Sequence, residues 1–343
     1  MTGAAKLRVA CVGAGYFSQF HYGSWARMEG AEAVAACDRD LTLATATGLT
    51  AYKDVAEMLA AERPDLLDII LPPASHAQVI RTALAAGVKW MICQKPFCRD
   101  LAEAEAITLE AEAAGAKIIV HENFRFQPWY RAIKRAVEDG VVGQVQQVTF
   151  RLRPGDGQGA DAYLDRQPYF QTMPRLLIHE TGVHVVDTFR YLLGDAVSVY
   201  ADLRRMNPVI AGEDAGFVLF EHPDGVRAVF DGNRNLDHKA DNLRRTMGEA
   251  LVEGTDGTLS LHGDGRVTLR KFGSDDDAVL LPADTWEGFG GDCVHALQSH
   301  VVGAMRTGTP LENEARDYLY VVRAEAAIYA SAETGARQVV STT

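Results

Sequence analysis

The fold is decided by the stretch LRVACVGAGYFS, residues 7–18. Its first six residues form an apolar run that predicts a short buried strand, and Gly13 and Gly15 follow that strand directly. In this GxGxx pattern the first glycine permits a tight turn, and the second lets the backbone approach a pyrophosphate. The residues that we expect to contact such a dinucleotide are Gly13, Gly15, Tyr16 and Phe17.

The acidic residue after the second predicted strand indicates which dinucleotide binds. Residues 31–37 form that strand, and Asp38 follows it. A carboxylate at this position accepts the adenosine ribose hydroxyls and repels a 2′-phosphate, which favours NAD over NADP. Arg39 keeps NADP open, because a guanidinium could bind that phosphate. Alternatively, Asp38 is a simple N-cap of the helix that begins near Leu41.

Strands and helices then alternate as far as His121. Apolar strands are predicted at 67–71, 88–93 and 117–121, and helices at 16–28, 54–62, 76–86 and 100–114. Such alternation is typical of a parallel, doubly wound α/β sheet. We therefore assign residues 1–121 to a dinucleotide-binding domain of the Rossmann type.

A different pattern fills residues 122–343. A polar and aromatic turn, ENFRFQPW, leads into a helix at 130–138. Runs typical of β-strands dominate from residue 144 onward, at 145–152, 197–203, 217–220, 226–230, 250–253, 258–261 and 266–271. These runs predict a second, α+β domain on a mostly antiparallel open sheet. One face of such a sheet often packs against a partner subunit, so a homodimer or homotetramer is expected.

Composition excludes several classes of function. The net charge of −12 argues against nucleic acid or an anionic membrane as a partner. No apolar run is long enough to span a bilayer, and no signal segment opens the chain. The five cysteines form no CxxC pair, which indicates a reducing cytoplasm. His179 and His184 are five residues apart rather than the four of an HExxH zinc helix, so we predict no metal site.

Two places carry candidate chemistry. Lys95 follows an apolar strand and precedes Pro96, so it lies at the strand end where open α/β sheets bind their ligands. Alternatively, this lysine only solvates a loop. Glu180 and His184 are four residues apart in a predicted helix, 176–193, and therefore share one helix face. A solvated charged face is the alternative there, although the neighbouring residues are apolar.

Five motifs occur in a characteristic order along the chain. They are GxG at 13–15, PPxxH at 72–76, QKP at 94–96, ENFRFxP at 122–128 and ExGxHxxD at 180–187. Together they resemble the Gfo/Idh/MocA family of NAD(P)-dependent oxidoreductases, over essentially the whole chain. The stretch GAGYFSQFH at 13–21, together with Gln94, is most similar to the family's bacterial dehydrogenases of branched or acidic sugars. The resemblance implies a Rossmann domain, an open-sheet domain, and a sugar, polyol or sugar acid as substrate.

The resemblance also implies roles for individual residues. Lys95 and His184 match the family's lysine and histidine, and Glu180 stands where an aspartate is more frequent. Gln94 replaces the glutamate of the family's Glu-Lys-Pro and could still hydrogen-bond a ribose hydroxyl. The residues expected near the nicotinamide are Leu71, Pro72, Pro73, His76 and Asn123.

A mechanism follows as an expectation. His184 would remove the hydroxyl proton as general base, Lys95 would stabilise the developing alkoxide, and Glu180 would orient the substrate or the imidazole. Candidates for substrate recognition are Arg125, Arg153, Arg166 and Asn233. One alternative is an enzyme that keeps and recycles its nucleotide, such as an oxidation–elimination glycosidase or a sugar–sugar oxidoreductase. The other is a nucleotide-sensing regulator, which would not need the lysine and the histidine.

Overall fold

The computed structural model describes residues 5–341, and the chain divides into two compact units. The first unit combines the chain up to Glu122 with Val294–Val322, and the second combines Asn123–Cys293 with the chain from Arg323 onward. The sequence-based boundary between residues 121 and 122 lies beside the first of these crossings. The predicted second domain, 122–343, did not allow for the return of Val294–Val322 to the first unit.

The first unit is built on a parallel sheet of six strands. The strands are β1 (Leu7–Val12), β2 (Ala31–Cys37), β3 (Thr50–Tyr52), β4 (Leu66–Ile69), β5 (Trp90–Gln94) and β6 (Lys117–His121). The helices between them are α1 (Ser18–Ala26), α2 (Leu41–Ala46), α3 (Val55–Glu62), α4 (His76–Ala85) and α5 (Leu101–Ala113). The strand order is β3-β2-β1-β4-β5-β6, and every neighbouring pair is parallel. This is the predicted doubly wound arrangement, in which the order reverses between β1 and β4.

The central strands of this sheet are buried on both faces, as the continuous apolar runs predict. Ala10 of β1 and Ile92 of β5 have no exposed surface. Strand β4 is equally buried but is not wholly apolar, because it contains the fully buried carboxyl group of Asp68. The prediction of a fully apolar strand was therefore wrong at Asp68.

The second unit is built on a sheet of nine strands. They are β7 (Val145–Leu152), β8 (Ser198–Arg204), β9 (Ala215–Glu221), β10 (Arg227–Asn233), β11 (Gly248–Gly254), β12 (Gly257–Leu261), β13 (Val267–Lys271), β14 (Asp277–Leu281) and β15 (Gln338–Val339). The order is β14-β13-β12-β11-β7-β10-β9-β8-β15. Within this sheet, among the described strands, only β7 and β10 pair in parallel. The predicted mostly antiparallel sheet is therefore confirmed, with β14 and β15 as strands that the sequence did not indicate.

The remaining helices are α6 (Pro128–Glu138), α7 (Val183–Leu193), α8 (Cys293–Thr307) and α9 (Ala315–Thr334). The predicted helix 176–193 is not one regular helix. Leu177–Gly182 forms a π-helical turn, and regular α-helix begins only at Val183. Such turns are rare and occur frequently at functional sites. The turn changes the spacing of side chains ahead of His184.

Candidate active site

The glycine turn after β1 has the geometry of a dinucleotide site. Gly13 has φ of 107°, and a Cβ atom there would lie 2.2 Å from the carbonyl oxygen of Ile70. Only glycine fits this position. At Gly15, by contrast, a Cβ atom would meet no protein atom within 4 Å. The first glycine thus serves the fold, and the second leaves the backbone open to close approach by a ligand.

Asp38 is tied to this turn. Its carboxylate accepts hydrogen bonds from the backbone N–H of Ala14, at 2.8 Å, and from that of Asp40, at 2.9 Å. The N-cap of α2 is Asp40, whose side chain accepts from Thr42 N–H at 2.9 Å. The alternative interpretation of Asp38 as a simple N-cap was therefore wrong. Arg39 is exposed beside it.

The turn at 72–76 positions its histidine inward. Residues 73–75 form a single 3₁₀ turn, and the imidazole of His76 is fully buried with Nε2 2.7 Å from the Leu71 carbonyl oxygen. Burial lowers the pKa of His76 to about 4 despite that hydrogen bond. A neutral imidazole thus holds the turn together from within. The expected nicotinamide contacts of Leu71, Pro72 and Pro73 stay predictions.

Lys95 is half-buried at the end of β5, as the sequence predicts. Gln94, immediately before it, turns its amide inward and is only 6% exposed. The amide oxygen accepts from Lys95 N–H at 3.1 Å, and the amide nitrogen lies 2.8 Å from Nε2 of His21. The amide of Gln94 is therefore engaged by protein groups. Its expected contact with a ribose hydroxyl stays a prediction.

His21 and Asp68 are site residues that sequence reasoning missed. Nδ1 of His21 lies 2.8 Å from Oδ2 of Asp68, and both side chains are fully buried. The same oxygen accepts from the indole N–H of Trp25 at 2.8 Å. The available signal was an acidic residue inside an otherwise apolar parallel strand, because a buried carboxylate requires partners.

In the second unit, His184 lies in the first turn of α7 and is 7% exposed. Its ring stacks face to face on Phe124, with centroids 4.0 Å apart and planes 4° apart. Glu180 is half-buried in the preceding π-helical turn. Burial and the Glu180 carboxylate raise the pKa of Tyr169 to about 12, so Glu180 and the Tyr169 phenol interact electrostatically. Asn123 lies one residue before Phe124 and is buried.

Two of the arginines expected at the substrate, Arg125 and Arg153, are engaged in ion pairs. Arg125 forms a bidentate pair with Asp187, with Nε–Oδ2 at 2.8 Å and Nη2–Oδ1 at 2.5 Å. Arg153 donates to the carboxylate and the carbonyl oxygen of Asp231. Both arginine residues are more than nine-tenths buried, and their structural partners could not be inferred from the sequence.

Arg166 belongs to a second network, around the glycine-rich loop at 155–160. Asp156 accepts hydrogen bonds from Arg166 and Arg234, and also from the hydroxyl of Tyr163. Burial opposes ionisation of Asp156, but the charges of Arg234 and Arg166 outweigh it and lower its pKa. Asn233, by contrast, is half-buried at the end of β10 and accepts from Asn235 N–H.

Comparison with known proteins identifies the chain. A family model described as "Oxidoreductase family, NAD-binding Rossmann fold" matches residues 7–122, and the GFO/IDH/MocA C-terminal domain matches residues 130–260. The chain belongs to the Gfo/Idh/MocA oxidoreductase family. The predicted family, fold and NAD-binding Rossmann domain are thereby confirmed, and the glycine turn described above fits this cofactor.

Individual relatives are similar over nearly the whole chain. The D-apiose dehydrogenase of Paraburkholderia graminis is 34% identical over 97% of this chain and 90% of its own, and that of Rhizobium rhizogenes is 30% identical over 96% of each. Among solved structures, an oxidoreductase from Agrobacterium radiobacter in complex with NAD+, L-tartaric acid and magnesium superposes with a TM-score of 0.88. It is 28% identical, over 98% of this chain and 99% of its own. The narrower resemblance to dehydrogenases of branched or acidic sugars, such as apiose dehydrogenase, is also confirmed.

None of the helices within residues 5–341 is both long and apolar enough to cross a bilayer.

His179 is paired with Glu325, with Nδ1 and Oε1 2.6 Å apart. The histidine that precedes Glu180 is therefore part of a pair with α9.

Proposed function

We propose that this chain is an NAD-dependent dehydrogenase that oxidises a hydroxyl group of a sugar, polyol or sugar acid. The observation that carries the proposal is the near full-length relationship to two D-apiose dehydrogenases. The related Agrobacterium radiobacter structure, which contains NAD+ and L-tartaric acid, supports it. Apiose is a branched sugar and tartaric acid a polyhydroxy acid, so both offer a secondary or primary alcohol next to polar groups.

Proton removal is assigned to His184. Oxidation of an alcohol requires a hydride acceptor, which bound NAD supplies, and a base for the hydroxyl proton. An imidazole is suited to that role near neutral pH. Stacking on Phe124 supports the assignment, because it restricts the ring to one orientation. Glu180, in the π-helical turn that precedes α7, orients the substrate or the imidazole.

Charge stabilisation is assigned to Lys95. Its ammonium stabilises the alkoxide that develops as the hydroxyl proton leaves. The residue lies at the carboxyl end of β5, where a doubly wound sheet presents its ligand-binding groups. Asn233, the uncharged member of the four candidates for substrate recognition, is retained in that role. The guanidinium groups of Arg125, Arg153 and Arg166 are held by Asp187, Asp231 and Asp156, and in this proposal the three arginines stabilise the structure around the site.

Reduced-nicotinamide absorbance tests the proposal directly. Purified protein is mixed with NAD or NADP and with D-apiose, myo-inositol, L-tartrate and a panel of aldoses, polyols and sugar acids. We expect turnover with one substrate class and a preference for NAD, because Asp38 lies beside the glycine turn. A preference for NADP would show that Arg39 determines cofactor choice. Absence of turnover with stoichiometric bound nucleotide would favour the recycling enzyme, and absence of both would favour the regulator.

We also propose a homo-oligomer that uses the nine-stranded sheet. Register places Tyr200, Leu219, Val229, Thr149 and Leu251 in one row across five strands, all on the same face. Two of them, Tyr200 and Leu251, are about two-fifths exposed, and the other three are half-buried. An apolar row of this kind is typical of a surface that packs on a partner. Light scattering that gives a monomer mass would contradict it. The cytoplasmic location, inferred from five cysteines that form no CxxC pair, stays a prediction.

A further inference from the structure

A buried chain of hydrogen bonds in the first unit ends at the backbone of Lys95. It runs from Asp68 through His21 to Gln94, with distances of 2.8 Å at both steps. The amide nitrogen of Gln94 also lies 3.3 Å from Nδ1 of His121, and the two imidazole rings are 4.2 Å apart. All four side chains are more than nine-tenths buried.

The hydrogen-bond directions in this chain follow from one fixed donor. The backbone N–H of Lys95 can only donate, so the atom of Gln94 that faces it must be the amide oxygen. The amide NH₂ group therefore points at Nε2 of His21 and Nδ1 of His121, and each of these nitrogens must accept. His21 consequently carries its single proton on Nδ1 and donates it to Asp68.

A glutamate at the same position would reverse this logic. Its carboxylate could still accept from Lys95 N–H, but its other oxygen would also be an acceptor facing Nε2 of His21. His21 would then need protons on both nitrogens, one for Asp68 and one for the new carboxylate. An amide and a carboxylate at residue 94 thus demand different charge states of one buried histidine.

Three titratable side chains near Asp68 are neutral and add no competing charge. The titratable side chains close to Asp68 are Cys11, Cys93 and Tyr22. Burial, reinforced by the negative charge of Asp68, raises the pKa of all three, so they are neutral. Gln298 adds an uncharged donor, 3.1 Å from Oδ2 of Asp68.

We propose that Gln94 is a positioning residue, which fixes the backbone of Lys95 through its amide oxygen and is itself fixed by a neutral His21 that donates to Asp68. This inference rests on the proposed function only for the consequence that a displaced Lys95 slows turnover. The hydrogen-bond chain and the charge state of His21 are independent of any substrate.

The first test measures the protonation of the two ring nitrogens of His21 and does not depend on catalysis. In ¹⁵N NMR spectra of histidine-labelled protein at neutral pH, we expect His21 to show one protonated and one unprotonated ring nitrogen. In Gln94→Glu both ring nitrogens should be protonated. A doubly protonated His21 in the wild type, or an unchanged His21 in Gln94→Glu, would overturn the proposal.

The second test reads the position of Lys95. Gln94→Met removes the acceptor, whereas Gln94→Glu restores it. We expect the Lys95 amide to lose protection from hydrogen exchange in the methionine variant and to keep it in the glutamate variant. Turnover should fall about 10-fold or more in Gln94→Met, mainly in kcat, and recover in Gln94→Glu. Equal exchange protection in both variants would contradict the positioning role, even if no substrate were ever found.

A matched control separates the effect of Gln94→Glu on His21 and Lys95 from the general effect of burying a new carboxylate. Gln127 is 1% exposed, and its amide oxygen accepts from the indole N–H of Trp129 at 2.7 Å. Gln127→Glu keeps that acceptor and lies outside the first unit. It should leave the His21 nitrogens and the Lys95 exchange rate as in the wild type, and a change in either would contradict the specific role of Gln94.

Discussion

The glycine turn of the first unit and the arginines of the second unit show two kinds of predictability. At the turn, the sequence signal is local, because the GxG motif places Gly13 and Gly15 within three residues, although the carbonyl group that excludes a Cβ atom at Gly13 belongs to Ile70. At Arg125 and Arg153, the structural partners are 62 and 78 residues away. Backbone requirements can therefore be inferred from a short motif, whereas the use of a charged side chain depends on partners that the motif does not contain.

Substitution of the two glycines gives the largest expected effect. Gly13→Ala forces a Cβ atom against the Ile70 carbonyl at a positive φ, which should cost roughly 3–6 kcal/mol of unfolding free energy. Gly15→Ala meets no protein atom, so it should unfold like the wild type but bind NAD more weakly. Denaturant unfolding and NAD titration measure the two quantities. Similar stability losses in both variants would mean that the two glycines do not have separate roles.

Disruption of the buried Arg125–Asp187 pair should cause the next largest loss of stability. Asp187→Asn leaves the guanidinium of Arg125 buried without its opposite charge, at a cost of about 3 kcal/mol in unfolding free energy. Asp202→Asn removes the acid of an exposed Asp–Arg pair and serves as the matched control, with no measurable loss expected. If Asp187→Asn were as stable as the control, Arg125 would be available for substrate recognition after all.

His76 should make the free energy of unfolding depend on pH. The pKa of His76 is lowered to about 4 in the folded chain, against about 6.5 in an unfolded one. Between these values the unfolded chain binds more protons, so stability falls as pH falls from about 6.5 and levels off near 4. The contribution amounts to about 3 kcal/mol. In His76→Asn the loss of unfolding free energy over this range should be smaller by that amount, and an unchanged loss would show that His76 is not buried as a neutral group.

Much of the fold was predictable because its signals are periodic or local. Alternating strands and helices predicted the doubly wound sheet, and the run at 145–152 coincides with β7. Short edge strands such as β3 and β15, with three and two residues, carry too little pattern to be seen. The π-helical turn at Leu177–Gly182 was not predictable either, because its residues also fit a regular helix.

The candidate site was predictable in its backbone and less so in its side chains. The motifs placed Lys95 at a strand end and His184 on a helix, and the structure has both there. The chain from Asp68 to His21 was missed because the two residues are 47 positions apart and meet only across the folded sheet. His76 is buried beneath its own turn, and the expected approach of that turn to the nicotinamide stays a prediction.

The role of His184 is tested by comparing the kcat of wild type and His184→Ala on the substrate found in the panel, with the NAD dissociation constant measured alongside. We expect kcat to fall by about 10²–10⁴-fold, because the general base is lost, while NAD binds as in the wild type. His262→Gln, a histidine substitution in the nine-stranded sheet region, should retain both values. Retention of wild-type kcat in His184→Ala would contradict the assignment of the second unit as the source of the catalytic base.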